Sequence, residues 1–252
     1  MLGLANTVSS SSTLESLYSI TLDGANDHIN LGDVLDLGTA DFSISFWAYV
    51  PEGTSQNFIS KFEDSDNRWF ITTQGSDKLQ FLSNVSGSTT MSNSYSGDAV
   101  PENEWFHGVI TCDRSDTSAG LTVYVNAVSG TANAADATTL SNSGNLHFGR
   151  QNSSYIGANS KMTDVAIWNV ALNLANVQAI YNSGKPTDLT FDSGNYDNSS
   201  ALQGYWRMGN GTFDDKANGV IHDQHAPGFG AEILTNGDFS TAGEPTQLTH
   251  SL

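Results

Sequence analysis

Few residue sets in this sequence carry the spacing that acid–base or nucleophilic chemistry needs. Cleaving a glycosidic bond takes two carboxyl groups facing that bond, about 5–5.5 Å apart when configuration is retained. A strand supplies such a pair from residues two apart, because alternate side chains share a face. Among the glutamates (Glu15, Glu52, Glu63, Glu102, Glu104, Glu232 and Glu244) only Glu102 and Glu104 are so spaced. They lie in the turn after Pro101, with Asn103 rather than an acid between them. That is a solvated turn, and the sequence reads as non-enzymatic. The histidines (His28, His107, His147, His222, His225 and His250) show no H-x-x-x-H spacing, so zinc hydrolysis is unsupported. His222-Asp-Gln-His225 reads as a surface turn. No serine lies in a G-x-S-x-G context, and no glycine-rich piece has the strand–loop–helix setting that cradles phosphate. Cys112 lacks a thiol partner anywhere in the sequence and reads as a core residue beside Ile110.

Binding chemistry is better represented. Sugars are held by aromatic faces and by Asn, Asp, Gln and Arg hydrogen bonds on loops. Trp69 follows Asn67 and Arg68 near a turn, where its ring is either exposed or turned into the core. Tyr95, Tyr155, Arg150, Gln151 and Asn152 lie in other polar loops. The glycan-binding expectation rests on Trp69, Arg68, Asn67, Tyr155, Arg150 and Asn152, although each alone also reads as a core or ordinary loop residue. The Asp64-Ser-Asp66-Asn67 loop offers oxygens to a hard cation but lacks the spaced ligands of an EF-hand.

The elements that position these residues are short alternating runs. Tyr18–Leu22 alternates and stops at Asp23-Gly24. Phe42 to Val50 places Phe42, Ile44, Phe46, Ala48 and Val50 on one face. Further runs are Phe58–Phe62, Trp69–Thr73, Leu79–Leu82, Trp105–Cys112, Leu121–Val125, Leu146–Phe148, Met162–Trp168 and Leu202–Met208. Turn signals recur every ~8–15 residues, the pattern of a sandwich. Trp47, Trp105, Trp168 and Trp206 are expected to fill the core between its sheets. One helix is predicted over Asn173–Asn182, with Asn173 as N-cap, Leu174, Val177 and Tyr181 on one face, and Ser183-Gly184 as the stop. The Ser-rich residues 1–16 read as an N-terminal arm, 17–225 as one domain, and 226–252 as a tail with a short strand near Ile233-Leu234.

Composition bounds the function class. The 252 residues carry a net charge of −18. So little positive charge disfavours nucleic acid as a partner. No apolar run of about 18 residues exists to insert into a membrane. The first basic residue is Lys61, and Met1–Ser19 lacks a basic segment leading into an apolar one. An exposed-type composition without an export signal is expected of a particle released by lysis, such as a virion. An acidic cytosolic protein, or a domain cut from a longer exported chain, remains the alternative.

Five segments, in order, resemble the laminin-G-like branch of the concanavalin A-like lectin/glucanase superfamily. Leu22-Asp-Gly-Ala-Asn-Asp-His-Ile29 resembles that family's opening strand and turn. Phe42-Ser-Ile-Ser-Phe-Trp47, Trp105-Phe-His-Gly-Val109 and Leu121-Thr-Val-Tyr-Val-Asn126 resemble later strands, with Ala127 where the family usually has Gly. Met162-Thr-Asp-Val-Ala-Ile-Trp-Asn169, ahead of the helix, resembles the last. The resemblance implies an all-β fold, a two-sheet antiparallel jelly roll. It also implies a structural Ca2+, with Asp164 as the acidic ligand and Asp23 and carbonyls near Gly24 or Gly38 completing the set. Leu202–Asp215 resembles a strand that usually opens such domains; here it reads as an added strand. That placement, with Leu234-Thr-Asn-Gly-Asp-Phe239, is similar to surface proteins of marine bacteriophages. The expectation is therefore a non-enzymatic virion protein, as capsid decoration, fibre or tail component. Its expected partners are other virion structural proteins, a host cell-surface glycan and further copies of the chain. A carbohydrate-binding module of a secreted protein and a purely architectural virion protein are the alternatives.

Overall fold

The computed structural model describes residues 18–51, 56–225 and 232–233. The predicted arm over 1–16 and most of the predicted tail lie outside these residues. In chain order the first strands are β1 (Ile20–Leu22), β2 (Ile29–Asn30), β3 (Phe42–Tyr49), β4 (Asn57–Phe62), β5 (Arg68–Gln74), β6 (Lys78–Val85) and β7 (Ser88–Ser94). There follow β8 (Trp105–Cys112), β9 (Leu121–Val125), β10 (Val128–Ser129), β11 (Asn145–Phe148), β12 (Arg150–Gln151), β13 (Ser154–Tyr155) and β14 (Ser160–Trp168). Helix α1 (Leu174–Tyr181) precedes β15 (Leu202–Trp206), β16 (Val220–Ile221) and β17 (Glu232–Ile233).

Two antiparallel sheets form a jelly-roll sandwich. The seven-stranded sheet runs β1-β14-β3-β8-β9-β10, and β15 joins it beside the C-terminal half of β14. The six-stranded sheet runs β2-β11-β4-β5-β6-β7. Alternation decides which face is apolar. From β3, Phe42, Ile44, Phe46 and Ala48 enter one core with Phe58, Trp69, Phe81, Phe106 and Phe148. Gly108 on β8 makes room in that core: a Cβ there would stand 2.6 Å from the Phe46 ring. The expected added strand is β15, and the expected short strand near residue 233 pairs, as β17, with β16.

A second core covers the outer face of the seven-stranded sheet. Val109, Ala166, Trp168 and Tyr205 are roofed there by Leu172, Val177, Ile180, Leu189 and Tyr196, from α1 and its flanking loops. This corrects the placement of the tryptophans. Trp206 lies between the sheets, edge-on to Phe148 at 5.2 Å. Trp168 lies under the roof, donating from Nε1 to Tyr196 Oη at 3.0 Å. Trp47 also faces outward and stacks on His107 and on Tyr181 of α1, at 4.9 and 5.8 Å between centroids. Trp105 is only half-buried. The reason for the split is parity: Trp47 follows the inward Phe46, and neighbours on a strand face opposite ways.

Asn173 caps α1 as expected, accepting from the Asn176 backbone, while the Asn176 side chain returns the bond. The helix stops at Asn182, whose φ of 46° takes the left-handed cap position ahead of Gly184. Leu174 is exposed, and the buried stripe is Asn176, Val177 and Ile180. No helix among the described residues is long and apolar enough to cross a membrane.

Candidate functional site

The outer face of the six-stranded sheet has no helix roofing it among the described residues, and its residues follow from register. Across the sheet, Asn30 pairs with His147, His147 with Ser60, Ser60 with Phe70, Phe70 with Leu82, and Leu82 with Ser92. Phe62, Arg68 and Asn84 form the next row, and Asn57, Thr72 and Gln80 flank the row on the other side. Their inward neighbours, Leu146, Phe148, Trp69, Ile71, Leu79 and Phe81, are core. The face is thus mixed aromatic and polar over an apolar floor. None of the strands β2, β4–β7 and β11–β13 contains an Asp or Glu, in a chain with 27 of them. Arg68 lies between the rings of Phe62 and Phe70, at 5.5 and 5.4 Å from their centroids.

Four buried polar atoms on this face lack a partner: Arg68 Nε, Gln80 Oε1, Asn84 Oδ1 and His147 Nδ1. An unsatisfied buried group costs about 1–3 kcal/mol. Such groups concentrated on one open face are suited to a ligand that supplies hydrogen bonds.

At one end of the face four side chains converge. The β12–β13 hairpin pairs Arg150 with Tyr155, and the guanidinium lies over the Tyr155 ring at 5.4 Å. Arg150 Nη1 stands 3.1 Å from His28 Nε2, and His28 Nδ1 stands 2.9 Å from the Asn26 carbonyl. With Nδ1–H donating to that carbonyl, Nε2 accepts from Arg150 and the ring is neutral. Burial chiefly, aided by the Arg150 charge, lowers the His28 pKa. His147 lies 5.4 Å from His28 between centroids. Burial first, then His28 and Arg150, pushes His147 down to about 4. Both rings are therefore neutral at pH 7, and Arg150 holds the local positive charge. Ser60 Oγ donates to the Arg150 carbonyl at 2.6 Å, and Asn57 Nδ2 to that of Tyr155 at 3.1 Å, fixing the hairpin on the sheet.

Of the residues expected to touch a glycan, Arg150, Asn152 and Tyr155 come together here; the Asn152 carbonyl accepts from Arg150 Nε. Arg68 is on the same face, two rows away. Asn67 lies in the turn, where its Oδ1 accepts from Ser86 N at 3.2 Å. Trp69 is 0% exposed in the inter-sheet core, so its ring is out of a sugar's reach. Sequence reasoning missed His28, His147, Phe70 and Gln80. Their signal was strand parity, which puts each beside an inward core residue.

The four residues expected to hold calcium are not brought to one site. Asp164 sits in a bulge of β14 with φ 47°, one extra residue between Thr163 and Ala166 in the pairing with β3. Its Oδ1 accepts from Tyr205 Oη at 2.7 Å and faces Arg207 Nε at 3.3 Å; its Oδ2 accepts from Thr163 Oγ1 at 2.9 Å. Burial and the Asp164 charge raise the Tyr205 pKa well above its usual value. Asp23 closes its own turn, its Oδ1 accepting from Ala25, Asn26 and Asp27 amides at 2.8–3.2 Å, and the Ala25 bond first among them lowers its pKa. Leu22 pairs with Ser160, four residues and ~13 Å along β14 from Asp164, and Asp23 lies one residue further away. The Gly24 backbone abuts Ala158, and the Gly38 carbonyl accepts from Leu140 N at 2.9 Å. The donor set does not fit a shared calcium ion. Among the described residues no group of three or more His, Cys, Asp or Glu side chains could hold a metal.

Asp164 is the sole acidic residue of β1–β15, so these strands present no carboxylate pair to a bound sugar. Glu102 and Glu104 remain in their turn, beside Asn103 at φ 58°.

Residues 23–178 match the Laminin_G_3 family model, described as concanavalin A-like lectin/glucanases superfamily. Among solved structures, a "putative carbohydrate binding protein" from Bacteroides ovatus aligns with a TM-score of 0.58 at 17% identity, covering 81% of this chain and 54% of its own. The native heptameric SAP-like pentraxin from Limulus polyphemus aligns at 0.51 and 14%, covering 66% and 82%. At these identities the likeness is one of fold. No curated protein matches in sequence.

Proposed function

The chain belongs to the Laminin_G_3 family of the concanavalin A-like lectin/glucanases superfamily, and from that premise we propose that it is a non-catalytic module binding a glycan on the outer face of its six-stranded sheet. One observation carries the reading: a carboxylate-free, aromatic and polar face with four orphaned buried donors and acceptors, ending in the Arg150–Tyr155–His28–His147 cluster. Sugar hydroxyls satisfy such atoms, and Phe70 and Tyr155 offer apolar ring surface. The non-catalytic part rests on the absence of a carboxylate pair on β1–β15 and on the engagement of Asp164 with Arg207.

The proposed setting is the surface of a bacteriophage particle, as capsid decoration, fibre or tail component. Its partners there would be other virion structural proteins, further copies of the chain and a host surface glycan. The support is the acidic, Ser/Asn/Gly-rich composition together with the likeness of Leu202–Asp215 and Leu234–Phe239 to phage surface proteins.

A glycan array probed with the full chain tests the binding reading. Selective binding that drops at least about tenfold in Arg150→Ala and Tyr155→Ala, with folding intact, is the expected result. Absence of any bound glycan, or binding indifferent to both substitutions, refutes it and leaves an architectural protein. Immunogold labelling of purified particles tests the setting, with label on head, neck or fibre expected.

A further inference from the structure

A second polar cleft lies across the molecule from that face, and the residues lining it fall outside the family match over 23–178. Asp188, Thr190, Arg207, Thr212, Gln224 and His225 line a cleft of about 360 Å³. It is walled by the loop after α1, the residue following β15, and the segment that returns beside β15.

Arg207 forms one wall. It is 7% exposed, and its Nε faces Asp164 Oδ1 at 3.3 Å. Its terminal nitrogens make no hydrogen bond among the described residues. Asp188 shares the cleft, and its Oδ1 accepts from the Thr190 amide and hydroxyl at 2.9 and 2.6 Å, leaving Oδ2 available. Among the described residues Asp164 is the ion-pair partner of Arg207, and Asp188 is not. Two opposite charges thus line one cleft without closing on each other.

The charge balance selects the ligand class. Asp164 already neutralises Arg207, and Asp188 adds a second negative charge, so a free anion gains little. A ligand cation would meet the guanidinium. A neutral polyol satisfies both, one hydroxyl accepting from Arg207 and its neighbour donating to Asp188 Oδ2. The Thr190 hydroxyl, its proton spent on Asp188, is left as an acceptor. The Thr212 backbone is clamped in place: Gln224 Oε1 accepts from its amide at 2.7 Å and Gln224 Nε2 donates to its carbonyl at 3.2 Å. None of the six lining residues is apolar, which suits a hydroxylated ligand and not an acyl chain. We propose that this cleft is a second binding site, taking one neutral monosaccharide unit through adjacent hydroxyls held by Arg207 and Asp188.

The test is an amide NMR titration of the full chain with the methyl α-glycosides of glucose, galactose and mannose, and separately with inorganic phosphate. Expected are saturable shifts at Thr190, Thr212 and Gln224 with at least one glycoside and none with phosphate. Affinity should fall at least about tenfold in Asp188→Asn and hold in Arg150→Ala, which alters only the other face. Should Asp188→Asn unfold, Thr190→Val, which removes the acceptor hydroxyl beside Asp188, carries the same expectation. Absence of saturable shifts with all three glycosides overturns the proposal. So do shifts evoked by phosphate, shifts that survive the cleft substitutions, or shifts lost in Arg150→Ala.

Discussion

His107 shows what one buried ring does to the pH response. It is 2% exposed, in a three-ring cluster with Trp47 and Tyr181, with Nδ1 unpartnered. Burial pushes its pKa from 6.5 down to about 3. The folded chain therefore holds this ring neutral where the unfolded chain protonates it. Below pH 6.5 the unfolded state binds the extra proton, so stability falls as pH drops and keeps falling until the folded ring titrates near 3. Between pH 7 and pH 5 that loss is about 2 kcal/mol. His107→Phe keeps the stack and removes the titration. Its urea midpoint should lose markedly less between pH 7 and pH 5 than that of the wild type; equal losses would show that the ring is not held neutral. Asp164 is the companion case. A residue that resembles a calcium ligand in sequence is drawn by a backbone bulge onto Tyr205 and Arg207 instead. Bulges leave no mark on alternation until the register is known, so that use of Asp164 was not legible.

Among the elements, α1 acts as a lid fixed by its ends. Its first turn has no acidic residue and its last no basic one, so nothing complements the helix dipole. The reciprocal Asn173–Asn176 capping bonds, and Asn176 Nδ2 reaching the Asn195 carbonyl at 2.6 Å and Asp197 Oδ1 at 2.9 Å, hold it instead. Asn173→Ala removes a side-chain cap and should cost about 1 kcal/mol, read as a lowered urea midpoint. Because α1 roofs Trp168 and Tyr205, near-UV circular dichroism should weaken with it; an unchanged midpoint would mean the roof holds by packing alone. The same scale explains what the sequence revealed. The longer apolar strands and the helix with its N-cap are local patterns of period and capping, and could be read directly; β7, whose one large apolar residue is Met91, and the β12–β13 hairpin, which reads as polar loop, carry no such pattern. The division of the tryptophans between two cores, and the gathering of His28 with Arg150 from 122 residues away, depend on which face each strand turns and on pairings across the sheet. Those are tertiary facts without a local signature, which is also why Trp69, next to a turn, resembled a surface aromatic.

For the molecule as a whole, charge is the dominant unbalanced term. A net −18 is set against three ion-pair contacts among the described residues: Lys61 with Asp33 and Asp36, and Arg207 with Asp164. Both cations are buried, so salt screens these pairs weakly, whereas repulsion among the exposed carboxylates is screened over about 10 Å at 0.1 M salt. Self-repulsion of this kind opposes the compact state. Added salt therefore stabilises more than it weakens. At pH 7 the melting temperature should rise as NaCl goes from about 10 mM to about 200 mM, where the screening length shrinks through molecular dimensions. The increment should shrink as pH nears the isoelectric point of about 4.3, where net repulsion vanishes. Differential scanning calorimetry at two pH values reads both effects. A melting temperature that falls with salt at pH 7 would mean that attractive surface pairs outweigh the excess negative charge.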